Sequence, residues 1–192
     1  MTEFSGVAAQ MREGAVGVMP AKNGYMLVGS GAQNRYQETS RRIRLLKGKR
    51  AAAPLARVAL PDEVIAAARR AVPQRAALVE MYALQPIIWA IPSEEFPEEA
   101  HNQPEFGITA ARATWERGIV TALGGMLIAS SANHTGHPTP RRIEDVDPCI
   151  CAKADFVVDK GTQPPESDYG VVRLADLTII RNSIILTEIL QK

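Results

Sequence analysis

The sequence has almost no cysteine, almost no net charge and no long apolar run, and each shortage removes a class of protein. Its two cysteines, Cys149 and Cys151, stand one residue apart. A disulfide between such near neighbours is strained, and there is no third cysteine to pair with either. A disulfide-stapled secreted scaffold is therefore excluded, and a reducing compartment, the cytoplasm, is expected. A C-x-C pair is also short of ligands for a metal, and the three histidines do not cluster with it, so no metal site is expected. Glu3 and its polar neighbours interrupt any apolar start, so a secretory signal is not expected. No apolar stretch reaches the ~20 residues that span a bilayer, which argues against a membrane partner. A net charge of +1 gives no global pull toward nucleic acid. There is no internal repeat and no low-complexity linker.

What is present is an ordinary globular balance, 46% hydrophobic and 22% charged over 192 residues. That length suits one domain, 1–192, with a full core. The patterning predicts a short helix over 5–12, strands over 15–20 and 24–29 around a polar turn, and a basic helix over 34–47. A strand over 54–60 and a helix from Pro61 to the residue before Pro73 follow. Strands are expected over 86–91, 126–130, 154–159, 169–174 and 177–181, and helices over 112–123, 140–152 and 184–191. Residues 92–105, rich in Pro, Glu and Asn, read as a surface loop. Strands alternating with helices, with strand-to-strand steps late in the chain, predict an α/β domain on a mixed sheet.

Charge that is absent overall is present locally. Six of the ten residues from 41 to 50 are Arg or Lys. Lys47, Lys49 and Arg50 in that run suit a polyphosphate, as charge-assisted donors. They equally suit a solvated helix end, where cations favour the dipole. Ser131, Asn133 and Gly136, in "SSANHTGHPTP" (130–140) just past an apolar strand, suit a phosphate or ribose. They equally suit a turn that caps itself. His134 and His137 form a metal pair without a third ligand, or are exposed loop histidines. Arg181, in "TIIRNSI" (178–184), ends an apolar strand as a binding or a rim residue.

Order and spacing say more than any one cluster. A K-x-K/R run followed by P-L, a strand ending in S-A-N-x-[ST]-G-x-P, then D-x-x-V-D-x-G, then V-V and I-I-R, together resemble the YrdC-like family. Its best-known members are threonylcarbamoyl-AMP synthases. The resemblance runs from about Val16 to the last helix, and Ser131-Ala132-Asn133 is its most specific part. It implies a twisted mixed sheet flanked by helices with a basic cavity on one side, and no additional C-terminal domain.

The resemblance also implies chemistry. L-threonine, bicarbonate and ATP, with Mg2+ accompanying the ATP, would yield a threonylcarbamoyl adenylate and pyrophosphate. That product serves the N6-threonylcarbamoyl modification of adenosine in tRNA. The family's K-x-R places its Lys on Lys47 and its Arg on Lys49, with Pro54-Leu55 fixing the register, and these two would be catalytic. Lys47, Arg50, Ser131, Asn133 and Arg181 would hold the nucleotide. Ala21, Asn23, Tyr25 and Tyr169 occupy the substrate positions, and several of these depart from the pattern. Where the family reads P-T-x-T-x-Y-G-L, this chain reads "PAKNGYML" (20–27), losing both threonines. A family His falls near Val58, P-G-P-L-T appears as "LQPII" (84–88), and S-T-V-V appears as "YGVV" (169–172). Lost hydrogen-bonding partners cost selectivity. Three functions follow: a divergent synthase, a non-catalytic module binding a nucleotide, tRNA or double-stranded RNA, and a partner protein with a vestigial site.

Overall fold

Two apolar runs parted by Lys22 and Asn23 fold back on each other as β1 (Val16–Ala21) and β2 (Gly24–Ser30), antiparallel, with Ala21 opposite Gly24. A two-residue loop of this kind demands a permissive residue, and Gly24 sits at φ +135 against the Pro140 carbonyl. The computed structural model describes residues 3–48, 55–93, 104–164 and 169–190. Helix α1 (Glu3–Arg12) precedes the hairpin, and α2 (Tyr36–Leu46) follows it. Then come β3 (Ala56–Ala59), α3 (Pro61–Ala71), α4 (Ala76–Tyr82), β4 (Ile87–Pro92) and β5 (Glu105–Ala110). The chain continues through α5 (Thr114–Leu123), β6 (Leu127–Ser131), α6 (Pro148–Lys153), β7 (Gly170–Arg173), β8 (Ile179–Arg181) and α7 (Ile184–Leu190).

The eight strands form one mixed sheet in the order β1-β2-β6-β3-β5-β4-β7-β8. The pairs β3·β5 and β4·β7 are parallel and the rest antiparallel. Its two halves are covered differently. On β1, β2 and β6, Leu27 and Ile128 pack with Ile43 of α2 and Ile150 of α6. Val28, Leu127 and Ala129, on the opposite face, pack with Met11 of α1 and Val120 of α5. On β4, β5 and β7, Trp89, Ile108 and Val172 pack with Val64 of α3, Val79 of α4 and Leu186 of α7. The register aligns Val28, Ala129, Ala56, Gly107 and Ala90 across five strands. Because side chains alternate between faces, this row starts beneath α1 and α5 and then runs out onto a face that no helix among the described residues covers.

Several expectations need correction. Residues 154–159 make no ladder, only a bridge from Val157 to Val18. Phe156 and Val158 do bond to the Val18 backbone and so cover the outer edge of β1. Asp155 N also donates to the Val16 carbonyl at 2.9 Å, and the Asp155 and Asp159 carboxylates accept from Val16 N and Tyr25 Oη, which ties the segment down at both ends. The helix expected over 140–152 is a 3-10 turn at Ile143–Asp145 followed by the short α6. Pro148 sets its start, and Asp147 accepts from Cys149 N at 2.7 Å as its cap. Strand β5 and helix α4 were not expected at all. Of the loop expected over 92–105, residues 94–103 lie outside the described residues, Pro92 ends β4 and Glu105 opens β5.

Candidate functional site

Helix α2 ends at Leu46 with Lys47 as its cap, and Gly48, at a left-handed φ of +61, takes the chain away from the helix. The preceding residue, Lys47, points inward and is only 2% exposed. Its ammonium donates to the Ser131 carbonyl, to Asn133 Oδ1 at 2.7 Å and to Ser131 Oγ at 3.2 Å, bridging 84 to 86 residues of sequence. Ser131 Oγ donates to Asn133 Oδ1 at 2.5 Å, and Asn133 Nδ2 donates to the carbonyls of His137 and Pro138. A buried ammonium is tolerable only when acceptors replace its water. The end of β6 supplies them, so Lys47 locks the Ser-Ala-Asn turn against the end of α2. His134 extends the lock, with Nε2 3.0 Å from Asp147 Oδ2 and Nδ1 3.4 Å from the Lys47 carbonyl. The Cys149 backbone N–H, and after it His134, hold the Asp147 carboxyl below the usual range. A polar cavity of about 660 Å³ opens beside this turn, between His137, Arg141, Arg142 and Thr162.

A second chain of contacts starts at the hairpin tip. Glu116 in the first turn of α5 is 5% exposed. Its Oε2 accepts from Arg112 N at 2.6 Å and Ala113 N at 2.8 Å, and its Oε1 accepts from Lys22 N at 3.2 Å. The Arg112 guanidinium lies 5.1 Å from the centre of the Tyr169 ring, close enough for a cation-π contact. The Tyr169 carbonyl accepts from Arg181 Nε at 2.8 Å. One continuous path therefore joins the β1–β2 tip, the start of α5, the start of β7 and the end of β8.

Arg181 borders a cleft of about 370 Å³ on the uncovered half of the sheet. Ala56, Gly107 and Ala90 form its floor, and Ile88, Val171 and Ile180 its sides. The floor has to be small, because a Cβ on Gly107 would come within 2.5 Å of Ile88 Cγ2. With Nε anchored on Tyr169, the two terminal nitrogens of Arg181 have no partner among the described residues. A flat apolar floor with an anchored guanidinium at its rim suits a planar ring that carries an anion. The Ser131 end of the sheet lies five strands from β8, about 24 Å at ~4.8 Å per strand on an untwisted sheet.

The structure thus brings Lys47, Ser131 and Asn133 together and sets Arg181 apart from them, at the cleft. Lys49, Arg50 and Pro54 lie outside the described residues. Of the substrate positions, Ala21 is buried and Tyr169 is 8% exposed beneath Arg112. Asn23 stands at the tip, its Oδ1 buried and without a hydrogen-bond partner among the described residues. Tyr25 is wholly buried and acts as a tie. Its hydroxyl donates to Asp159 Oδ1 at 2.6 Å and accepts from Lys160 N at 3.1 Å. Burial first, and then the Asp159 carboxylate, push its hydroxyl above the usual range. Sequence reasoning missed Arg112 and Glu116. The available signal for Glu116 was an acidic residue three positions past a helix start. Arg112 had no signal, because its partner lies beyond four intervening elements. Among the described residues, no three His, Cys, Asp or Glu side chains group to hold a metal. No helix among them is long and apolar enough to cross a membrane.

Comparison with known proteins agrees with this architecture. P. abyssi Sua5 complexed with L-threonine superposes with a TM-score of 0.80 at 20% identity, over 94% of this chain and 54% of that one. E. coli YciO gives 0.73 at 14% identity, over 94% of this chain and 89% of that one. HypF in its phosphate- and nucleotide-bound form gives 0.71 at 16% identity, over 95% of this chain and 29% of that one. The chain therefore spans about half the length of the Sua5 chain it matches. No curated protein sequence matches it. The family model Sua5_yciO_yrdC, described as "Telomere recombination", matches residues 9–183. With that match covering most of the chain, and the mixed sheet and Ser-Ala-Asn turn in place, the chain belongs to the Sua5/YciO/YrdC family.

Proposed function

We propose that this protein is an ATP-dependent carbamoyl-adenylate synthase. It would take an amino acid, L-threonine in the family, together with bicarbonate, and release pyrophosphate. One observation carries the reading: a buried lysine locks the Ser131–Asn133 turn at one end of a sheet whose uncovered face offers an anchored arginine and a small-residue floor. The Sua5 structure that shares this fold holds L-threonine, and the HypF structure holds phosphate and nucleotide.

In this scheme bicarbonate gives up hydroxide to leave carbon dioxide, the amine adds to it, and the proton the amine loses leaves with that hydroxide as water, giving a carbamate. A carbamate oxygen attacks the α-phosphorus of ATP, and the bond to pyrophosphate breaks. The protein's part is to position the reactants and to oppose the growing negative charge. The terminal nitrogens of Arg181 bind phosphate oxygens, and the floor formed by Ala56, Gly107 and Ala90 takes the base. Lys47 acts through Ser131 and Asn133, whose oxygens it aligns. Lys49 and Arg50, next along the chain, are the further cations for the phosphates. Magnesium carried by the nucleotide would supply further charge neutralisation at the phosphates. The adenylate would serve tRNA modification, with the exposed Arg41 on α2 a contact for RNA.

A second reading is a nucleotide-binding module without catalysis. Tyr169 favours it, since its ring fills a substrate position beneath Arg112. Pyrophosphate release from ATP separates the two readings. Release that requires both bicarbonate and one of the twenty L-amino acids supports the synthase. ATP binding without release under any of those conditions supports the module.

A further inference from the structure

The cleft on the open face is charged differently at its two ends. Arg181 stands opposite Val171, in the row of Ile88. The floor residues Gly107 and Ala90 form the next row along the strands. The row after that holds Glu105, opposite Pro92. Arg181 and Glu105 both line the cleft, so a guanidinium and a carboxylate face one cavity from opposite sides of its floor. Along the strands their rows lie about 13 Å apart at ~3.3 Å per residue. Across the sheet they are three strands apart, about 14 Å at ~4.8 Å per strand on an untwisted sheet.

Glu105 is held in place there. Its side chain is 23% exposed, and its Oε1 accepts from Arg173 Nε at 2.7 Å. Arg173 is itself fixed by Asp176, with Nη1 3.5 Å from Oδ2. The second oxygen of Glu105, Oε2, accepts no hydrogen bond among the described residues. A carboxylate oxygen can only accept, and it repels an anion. The Glu105 end of the cleft therefore takes an N–H or O–H donor, while the Arg181 end takes the anion.

We infer that Glu105 is the base-reading residue of the cleft: with the phosphates drawn to Arg181 and the ring on the floor, its Oε2 accepts the exocyclic amine of adenine. The inference rests on the proposed reading of the site. A nucleotide carries its sugar between base and phosphates, so the ring edge facing away from Arg181 is the edge away from the sugar. In adenine that edge bears the amine, a donor. In hypoxanthine the same position bears a keto oxygen, which would meet Oε2 acceptor to acceptor. The bond from Arg173 occupies the other carboxylate oxygen and fixes where Oε2 stands.

The test is calorimetric titration of the full chain with the magnesium complexes of ATP, ITP and purine riboside triphosphate, in the wild type, Glu105→Gln and Arg181→Gln. ITP replaces the amine by a keto oxygen, and purine riboside triphosphate replaces it by hydrogen. The wild type is expected to bind ATP roughly tenfold more tightly than either, as for one charge-assisted hydrogen bond. A glutamine amide can turn its oxygen or its nitrogen to the ring, so Glu105→Gln should bring ATP and ITP within about twofold of each other. Arg181→Gln should weaken all three alike and leave the preference in place. Loss of the Arg173 bridge as a merely structural tie would also lower all three together, so the ratio of affinities isolates the reading of the base. A preference for ATP over ITP that Glu105→Gln leaves intact overturns the inference. So does a wild type without that preference, or one that binds purine riboside triphosphate as tightly as ATP. This last comparison needs no variant and decides should Glu105→Gln not fold. A wild type that binds none of the three overturns the proposed reading and this inference with it.

Discussion

The two halves of the sheet belong to one continuous ladder, yet they meet solvent differently. Around β2 and β6, helices pack on both faces, and the residues between them are buried on each side. Around β5, β4 and β7, helices α3, α4 and α7 pack on one face, and among the described residues no helix packs on the other. The row that is Val28 and Ala129 under α1 and α5 becomes Ala56, Gly107 and Ala90 in the open. Where a helix would have supplied the second layer, the chain places small residues and an anchored arginine. The covered half supplies rigidity and ends in the Lys47–Ser131–Asn133 lock, and the open half supplies the space. The face proposed for binding is a core face that no helix among the described residues covers as a second layer.

Substitutions that break this contrast should differ in what they disturb. The largest effect is expected at Lys47. Lys47→Met removes a charged donor from two oxygens of Ser131 and from Asn133. It should cost about 3 kcal/mol in urea unfolding, in the range for buried charge-assisted hydrogen bonds left unmade. Next, Arg181→Gln in the open half should reduce ATP affinity about tenfold in calorimetry. Its stability should hold within about 0.5 kcal/mol, because the side chain is exposed. Tyr25→Phe, in the covered half, should show the reverse, losing about 1 kcal/mol of stability with nucleotide affinity unchanged.

The smallest effect concerns pH. The Arg42 side chain, at 2.8 Å, holds the Asp155 carboxyl below the usual range, ahead of the opposing effect of burial and the help of the Val16 N–H. A depressed folded pKa gives stability that is present above the unfolded pKa, about 3.9. That stability fades as pH falls from there through the folded value. Both side chains are partly exposed, so the contribution should be under about 0.5 kcal/mol. Arg42→Ala should flatten the acid limb of an unfolding curve between pH 5 and pH 2, as estimated from the ordinary Asp range.

Much of this was legible in the sequence, and the failures have physical causes. The hairpin, α2, α3 and β6 follow from alternation, helical periodicity and the stops at Gly48 and Pro73. The Lys47–Ser131–Asn133 lock was within reach because each residue sits at the end of a readable element. Strand β5 was hidden by Gly107, which removes a side chain from its pattern because that face is a floor. Residues 154–159 looked like a strand because they cover an edge, and edge cover shares a strand's alternation without its ladder. The roles of Arg112 and Glu116 depend on tertiary contacts, which no local pattern encodes.

The central claim is that the open half of the sheet is the nucleotide site. Calorimetric titration of MgATP into the wild type and Gly107→Val tests it most directly. A valine there would meet Ile88 and raise the cleft floor, at about 1–3 kcal/mol of strain, so near-ultraviolet circular dichroism would first verify the fold. The wild type should bind ATP, and the folded variant should bind at least about tenfold more weakly. Equal affinity in both, or no binding in the wild type, would contradict the account.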